Sequence, residues 1–200
     1  MRGALIIPGL HGSPDGHWQT LLQSHTPFAR RVEQDDWDAP VLDRWVERLL
    51  SSANANPGAI AVAHSLGCIL IAHAALRVPD VKIGGALLVA PADVETNTDT
   101  FPQLRNFAPM PTTSLPFPSI VVASSNDPFM SLQRARMLAA SWGSDFVNMG
   151  DAGHINIASG YGWWPAAHHL VDALAAKAET AQRPPRPLRN RTTAKRVPTT

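Results

Sequence analysis

Residues 58–78 read GAIAVAHSLGCILIAHAALRV, an apolar stretch broken near its centre by His64 and Ser65. Its first part, GAIAVAHS (58–65), has the length and character of a buried strand. Its second, LGCILIAHAALRV (66–78), is too long for a strand and reads as a strongly apolar helix. Nothing separates the two, so the chain must turn sharply at Ser65. A turn that tight requires small residues two places before and two places after its apex. Gly67 satisfies the second requirement, and Ala63 satisfies the first because only a methyl group must be accommodated. In α/β sheets, sites form at the carboxyl ends of strands, and a serine on such a turn is raised into the site. Ser65 therefore reads as a nucleophile. The alternative is a helix N-cap, a position serine favours.

The segments around this stretch alternate in the same way. ALIIPGL (4–10), KIGGALLVAP (82–91) and SIVVASSND (119–127) read as buried strands, RRVEQDDW (30–37) as a more polar edge strand and DFVNMG (145–150) as a last short one. VLDRWVERLLSSA (41–53) carries an apolar face at helical spacing. SLQRARMLAASWG (131–143) is a helix closed by glycine, and GWWPAAHHLVDALAAKAE (162–179) a final helix. Six strands, most of them fully apolar, separated by four helices imply an α/β fold: a mostly parallel sheet with helices on both faces. Residues 92–118, with prolines at 102, 109, 111, 116 and 118, are too long for a simple connection. Phe101, Leu104, Phe107, Leu115 and Phe117 predict that this loop packs on the body.

Two hundred residues with 44% apolar content suit one domain, placed at 1–179. The net charge of +1 hides an asymmetry: the segment from Thr180 carries six basic residues and no acid, while residues 1–179 are mildly acidic. The body thus gives no reason to expect nucleic acid as a partner. The Pro/Arg/Thr-rich tail, 180–200, reads as disordered. A single cysteine, Cys68, cannot form an internal disulfide, and no apolar run resembles a signal peptide or a membrane span. A cytoplasmic protein without membrane association is the expectation, with Cys68 a small buried residue of its helix.

A serine hydroxyl needs a base to take its proton. Of eight histidines, His73, His168 and His169 fall in helices, His25 lies in a polar stretch, and His64 adjoins Ser65, where neighbouring side chains diverge. His154, in GDAGHIN (150–156), follows the last strand on a glycine-flexible loop, where the base belongs. The acid that orients it must end another strand. Asp127, before Pro128, is favoured, Asp93 is a competitor, and Asp151 better suits a turn. The order Ser65…Asp127…His154 is that of α/β hydrolases. Oxyanion donors are expected from the backbone of Leu66 and, in the glycine-rich loop PGLHGSPDGHW (8–18), from Leu10, with His11 as the alternative. There is no phosphate-binding loop, no dinucleotide fingerprint, and no metal-ligand spacing among His11, His17, His168 and His169. No metal or cofactor is called for.

Four blocks, IIPGLHGSPDGHWQ, VAHSLGC, LPFPSIVVASSNDPF and GDAGHIN, span residues 6–156. Through them the chain resembles the small α/β hydrolases akin to retinoblastoma-binding protein 9, including their bacterial esterase-like relatives. The resemblance implies an α/β-hydrolase fold without a separate lid domain and a triad that falls on Ser65, Asp127 and His154. Ala63 departs from the glycine usual in the wider fold, and the tail lies outside the resemblance. The expected activity is that of a serine hydrolase acting on a small ester-type acyl substrate. Loop 92–118 and Trp18 are placed to shape its site. An amidase, peptidase or acyltransferase would use the same machinery. A binding protein on the same fold, meeting a protein partner through loop 92–118 or the tail, is the rival of another class.

Overall fold

The computed structural model describes residues 3–181. Six parallel strands form one sheet: β1 (Ala4–Ile7), β2 (Arg30–Arg31), β3 (Ala59–His64), β4 (Ile83–Val89), β5 (Ser119–Ala123) and β6 (Asp145–Asn148), in the order β2-β1-β3-β4-β5-β6. Five α-helices accompany them: α1 (Trp18–His25), α2 (Leu42–Ala55), α3 (Leu66–Arg77), α4 (Leu132–Trp142) and α5 (Pro165–Ala181). The α/β-hydrolase fold is thus present.

Strand side chains alternate between faces, and the core divides accordingly. Leu5, Ile7, Ala61, Ala63, Leu88 and Val121 pack against α2, α3 and α4. Ile6, Ile60, Val62, Leu87, Val89 and Val122 pack against α1 and α5. Covered on both sides, the central strands have no polar face, which is why they read as continuous apolar runs rather than alternating ones.

The structure departs from the expectations at four places. The first strand ends at Ile7 rather than Leu10, because Pro8 and Gly9 start the loop. The edge strand predicted over 30–37 contracts to Arg30–Arg31: after the Val32 N–H bonds Ile6 O, the chain turns away from β1. Helix α1 is a fifth helix beyond the four expected: it is only eight residues long and leans on a buried polar side chain. Gln19 is fully buried and donates to Ile7 O (3.2 Å) and Val62 O (2.9 Å), while the Ser13 hydroxyl donates to its Oε1 (2.6 Å). This amide pins α1 to the ends of β1 and β3. The loop 92–118 does pack on the body, burying Leu104, Phe107, Leu115 and Phe117, and its 3₁₀ turn (Pro102–Phe107) is held to α3 by the His73 ring at Phe107 O (2.8 Å). Helix α5 runs on to Ala181, so Thr180 and Ala181 are helical, and the rest of the expected tail lies outside the described residues.

From β1 the chain steps to β2 on one side, then returns to β3 on the other. The connections therefore diverge above β1 and β3, and a crevice opens there. Two glycines let the backbones meet at it. A Cβ at Gly67 would lie 2.4 Å from Ile7 O and 2.8 Å from Pro8 O, and one at Gly9 would lie 2.8 Å from Ser65 Cβ. The obstacles at Gly67 are backbone atoms and cannot rotate aside. Gly67→Ala is expected to lower stability by about 1–3 kcal/mol, the usual cost of overpacking, as a shifted urea midpoint at unchanged m-value.

Candidate active site

Ser65 sits between β3 and α3 at φ 54°, ψ −122°, and its side chain makes no capping hydrogen bond. Ser65 thus holds the N-cap position of α3 while its hydroxyl stays uncommitted to capping. A non-glycine residue at positive φ stores about 1–3 kcal/mol of strain, which persists only where the surroundings impose it. Here they do: the Ser65 N–H is held by Val89 O (3.0 Å), and Gly9 closes over the turn.

The Ser65 Oγ lies 3.0 Å from His154 Nε2, and His154 Nδ1 lies 2.9 Å and 3.0 Å from the two oxygens of Asp127. Asp127 comes from the loop after β5, and its Oδ1 also accepts the Phe129 N–H (2.9 Å). The competitor Asp93 is occupied elsewhere. Its Oδ2 pairs with Arg134 Nε (2.7 Å), and its Oδ1 accepts the amides of Glu95 and Thr96. Asp151 is exposed.

His154 rides on a loop held at many points. The Ser159 hydroxyl accepts the His154 N–H (3.0 Å), Asn126 Oδ1 accepts the Gly153 N–H (2.7 Å), and Ser124 Oγ accepts the Ala152 N–H (3.0 Å). The loop is less free than its glycines suggest.

Of the two oxyanion candidates in the first loop, the His11 N–H is engaged by Trp37 O (2.9 Å). Among the described residues the amides of Leu10 and Leu66 find no acceptor; Leu66 opens α3, where helical N–H groups lack intrahelical partners. Both residues border a cavity of about 310 Å³ beside Ser65. Phe101, Leu104 and Phe129 give it an apolar wall, and no Lys, Arg, Asp or Glu lines it. Loop 92–118 thus shapes the cavity as expected. Trp18 does not: it is buried beneath, donating from Nε1 to Ile155 O (2.9 Å). Among the described residues no group of three His, Cys, Asp or Glu is arranged to hold a metal ion, and no helix is long and apolar enough to cross a membrane.

Two histidines emerge that the sequence did not mark for the site. His17 caps α1, its Nδ1 accepting the Gln19 N–H (3.2 Å), and its ring meets that of His64 at 4.9 Å. His64 in turn lies 4.8 Å from the His154 ring. Burial first, then the nearby Arg31 and His154 charges, push His17 down to about 4. Burial, with the charges of His154 and His17 behind it, pushes His64 well below its ordinary value. The capping pattern of His17 was visible only once α1 was known.

Both rings are neutral in the fold but take up protons below pH 6.5 when the chain unfolds, so the unfolded state binds more protons. Stability is therefore full above about pH 6.5 and falls as the pH drops toward 4, by on the order of 3 kcal/mol for His17 alone. Urea midpoints measured between pH 7.5 and 4 should show this slope, and His17→Asn should flatten it.

The Serine hydrolase family matches residues 4–173. A YdeN-like hydrolase of Pectobacterium atrosepticum is similar at 31% identity and a TM-score of 0.76, covering 90% of this chain and 92% of its own. The ydeN gene product of Bacillus subtilis is 19% identical at a TM-score of 0.73, over 88% and 100% of the two chains. A thermophilic esterase from Thermogutta terrifontis shares the fold at 12% identity, TM-score 0.61, over 92% and 91%. No curated protein matches the chain in sequence. With the family's match running from β1 into α5, the chain belongs to the serine hydrolase family.

Proposed function

We propose that the protein hydrolyses small, uncharged carboxylic esters through an acyl-enzyme. The observation that carries this reading is the unbroken chain from Asp127 through His154 to Ser65, at 2.9 Å and 3.0 Å. His154 Nε2 takes the Ser65 proton as Oγ bonds to the ester carbon. The amides of Leu66 and Leu10 receive the developing oxyanion, each such donor being worth about 2.7–4 kcal/mol. His154 then passes its proton to the alcohol oxygen, the C–O bond breaks, and the acyl group stays on Ser65. Water attacks that ester while giving a proton to His154; the acid departs and Ser65 regains its proton. Asp127 holds the imidazole with Nδ1–H toward itself and stabilises the imidazolium. No cofactor takes part.

The substrate class follows from the cavity. At about 310 Å³ it stands near the lower bound of ligand pockets, roughly 300–1,000 Å³. Leu10, Phe101, Leu104 and Phe129 favour an apolar acyl group, and the lining holds no lysine or arginine to neutralise a carboxylate. Kinship with the small hydrolases akin to retinoblastoma-binding protein 9 belongs to the same proposal and rests on the four sequence blocks. A cytoplasmic setting rests on the lone cysteine.

Labelling by a fluorophosphonate probe, read by intact mass, should modify wild type once and leave Ser65→Ala untouched; an unlabelled, folded wild type would sink the proposal. Asp127→Asn should lower kcat by about 10⁴-fold, the effect of imposing the wrong imidazole tautomer. Asp93→Asn should instead lower the melting temperature and leave kcat near wild type. In a p-nitrophenyl ester series, kcat/KM should rise from acetate to butyrate by a few-fold per methylene, following about 0.8 kcal/mol per buried CH₂, and fall by octanoate. A succinyl half-ester should be a poor substrate, and a preference for it would overturn the uncharged-acyl assignment.

A further inference from the structure

We propose that His64 and Trp18 are positioning residues that clamp the His154 loop onto the end of β3, beside Ser65. The proposal rests on the reading of His154 as the base. Ile155, the residue after it, is held at φ 48°. For a β-branched residue that region is a genuine outlier, and such a conformation survives only where its surroundings hold it. Two side chains do so. His64 Nε2 donates to His154 O at 2.9 Å, and Trp18 Nε1 donates to Ile155 O at 2.9 Å. These are successive carbonyls on either side of the strained bond pair, and both donors are buried.

The connectivity makes the clamp specific to the chemistry. The side chain of His64 reaches the backbone of residue 154, and the side chain of His154 returns to residue 65, the next in sequence. Two hydrogen bonds thus close a ring between His64 at the end of β3, Ser65 next to it, and one residue of the far loop, so the Ser65–His154 distance is set by His64. The rings also pack, His64 at 4.8 Å from His154 and Trp18 at 6.0 Å from His64, nearly perpendicular. A carbonyl acceptor requires the His64 proton on Nε2, and burial keeps that ring neutral. Since His64 faces the cavity as well, it has two roles open to it, and the proposal assigns it the first.

The test compares His64→Leu, His64→Gln and Trp18→Phe with wild type. The readouts are kcat and KM on p-nitrophenyl butyrate, the rate of fluorophosphonate labelling, and the melting temperature. A misplacement near 1 Å can cost on the order of 10²-fold. His64→Leu should therefore lose about 10–100-fold in kcat and in labelling rate, with KM within about twofold. His64→Gln, which restores an N–H donor, should recover most of the loss. Trp18→Phe should lower kcat several-fold at unchanged KM, and carries the test alone if His64→Leu does not fold. The proposal is overturned by a folded His64→Leu with wild-type kcat, by an effect confined to KM (which would make His64 a cavity wall only), or by His64→Gln behaving like His64→Leu. A wild type that hydrolyses the ester without labelling at Ser65 would overturn the underlying reading instead, since there would be no base at His154 to position.

Discussion

The structure depends on one close approach of backbone to backbone. Gly67, at the first turn of α3, lies against the carbonyls of Ile7 and Pro8, and Gly9 lies against Ser65. Neither position has room for a Cβ. With both contacts made, β1 and β3 stand side by side, the chain is forced through φ 54° at Ser65, and the amides of Leu10 and Leu66 come to border one cavity. The strain at Ser65 is small beside the burial of α3, whose residues from Leu66 to Ala75 are all buried. The packing of that helix holds the turn in place.

What the turn does not provide must come from farther away. In the sheet, β5 is two strands from β3 and β6 is three. At about 4.8 Å per strand, the segment after β6 has to travel roughly 14 Å across the top of the sheet to bring His154 to Ser65. Asp127, arriving from β5, meets it on the way. A loop that crosses such a distance would wander if it were left unsupported, and here it is tied at Ala152, Gly153, His154 and Ile155 to donors and acceptors from other segments. Asp93 follows β4, which lies nearer to β3, yet Arg134 on α4 takes its carboxylate. Proximity in the strand order is therefore a poorer guide to which carboxylate meets His154 than the partner each carboxylate finds.

The site's polarity has the same origin. His17, His64 and His154 form one buried row of inclined rings, and proximity of that kind disfavours charge on more than one of them. Burial keeps His17 and His64 neutral. An imidazolium forming at His154 would then have two neutral neighbours and the carboxylate of Asp127 beneath it.

The local pattern of the chain was enough to determine the layered α/β fold, the sharp turn at Ser65, the packed loop at 92–118 and the order of the three polar residues. These follow from apolar run length, from the small residues flanking the turn, and from where each candidate falls relative to a strand end. Helix α1 was not legible, because its anchor is Gln19, a polar side chain buried only when β1 and β3 offer it carbonyls. The length of β2, the pairing of Asp127 with His154 while Asp93 pairs with Arg134, the engagement of the His11 amide by Trp37, and the placing of His64 beside His154 were fixed only by tertiary structure. Each depends on a partner distant in sequence: Ile6 for Val32, Arg134 for Asp93, Trp37 for His11, and a loop ninety positions downstream for His64. Short-range spacing reports which face a residue is on. Hydrogen-bond partnership is a competition among groups that meet only after the sheet has formed.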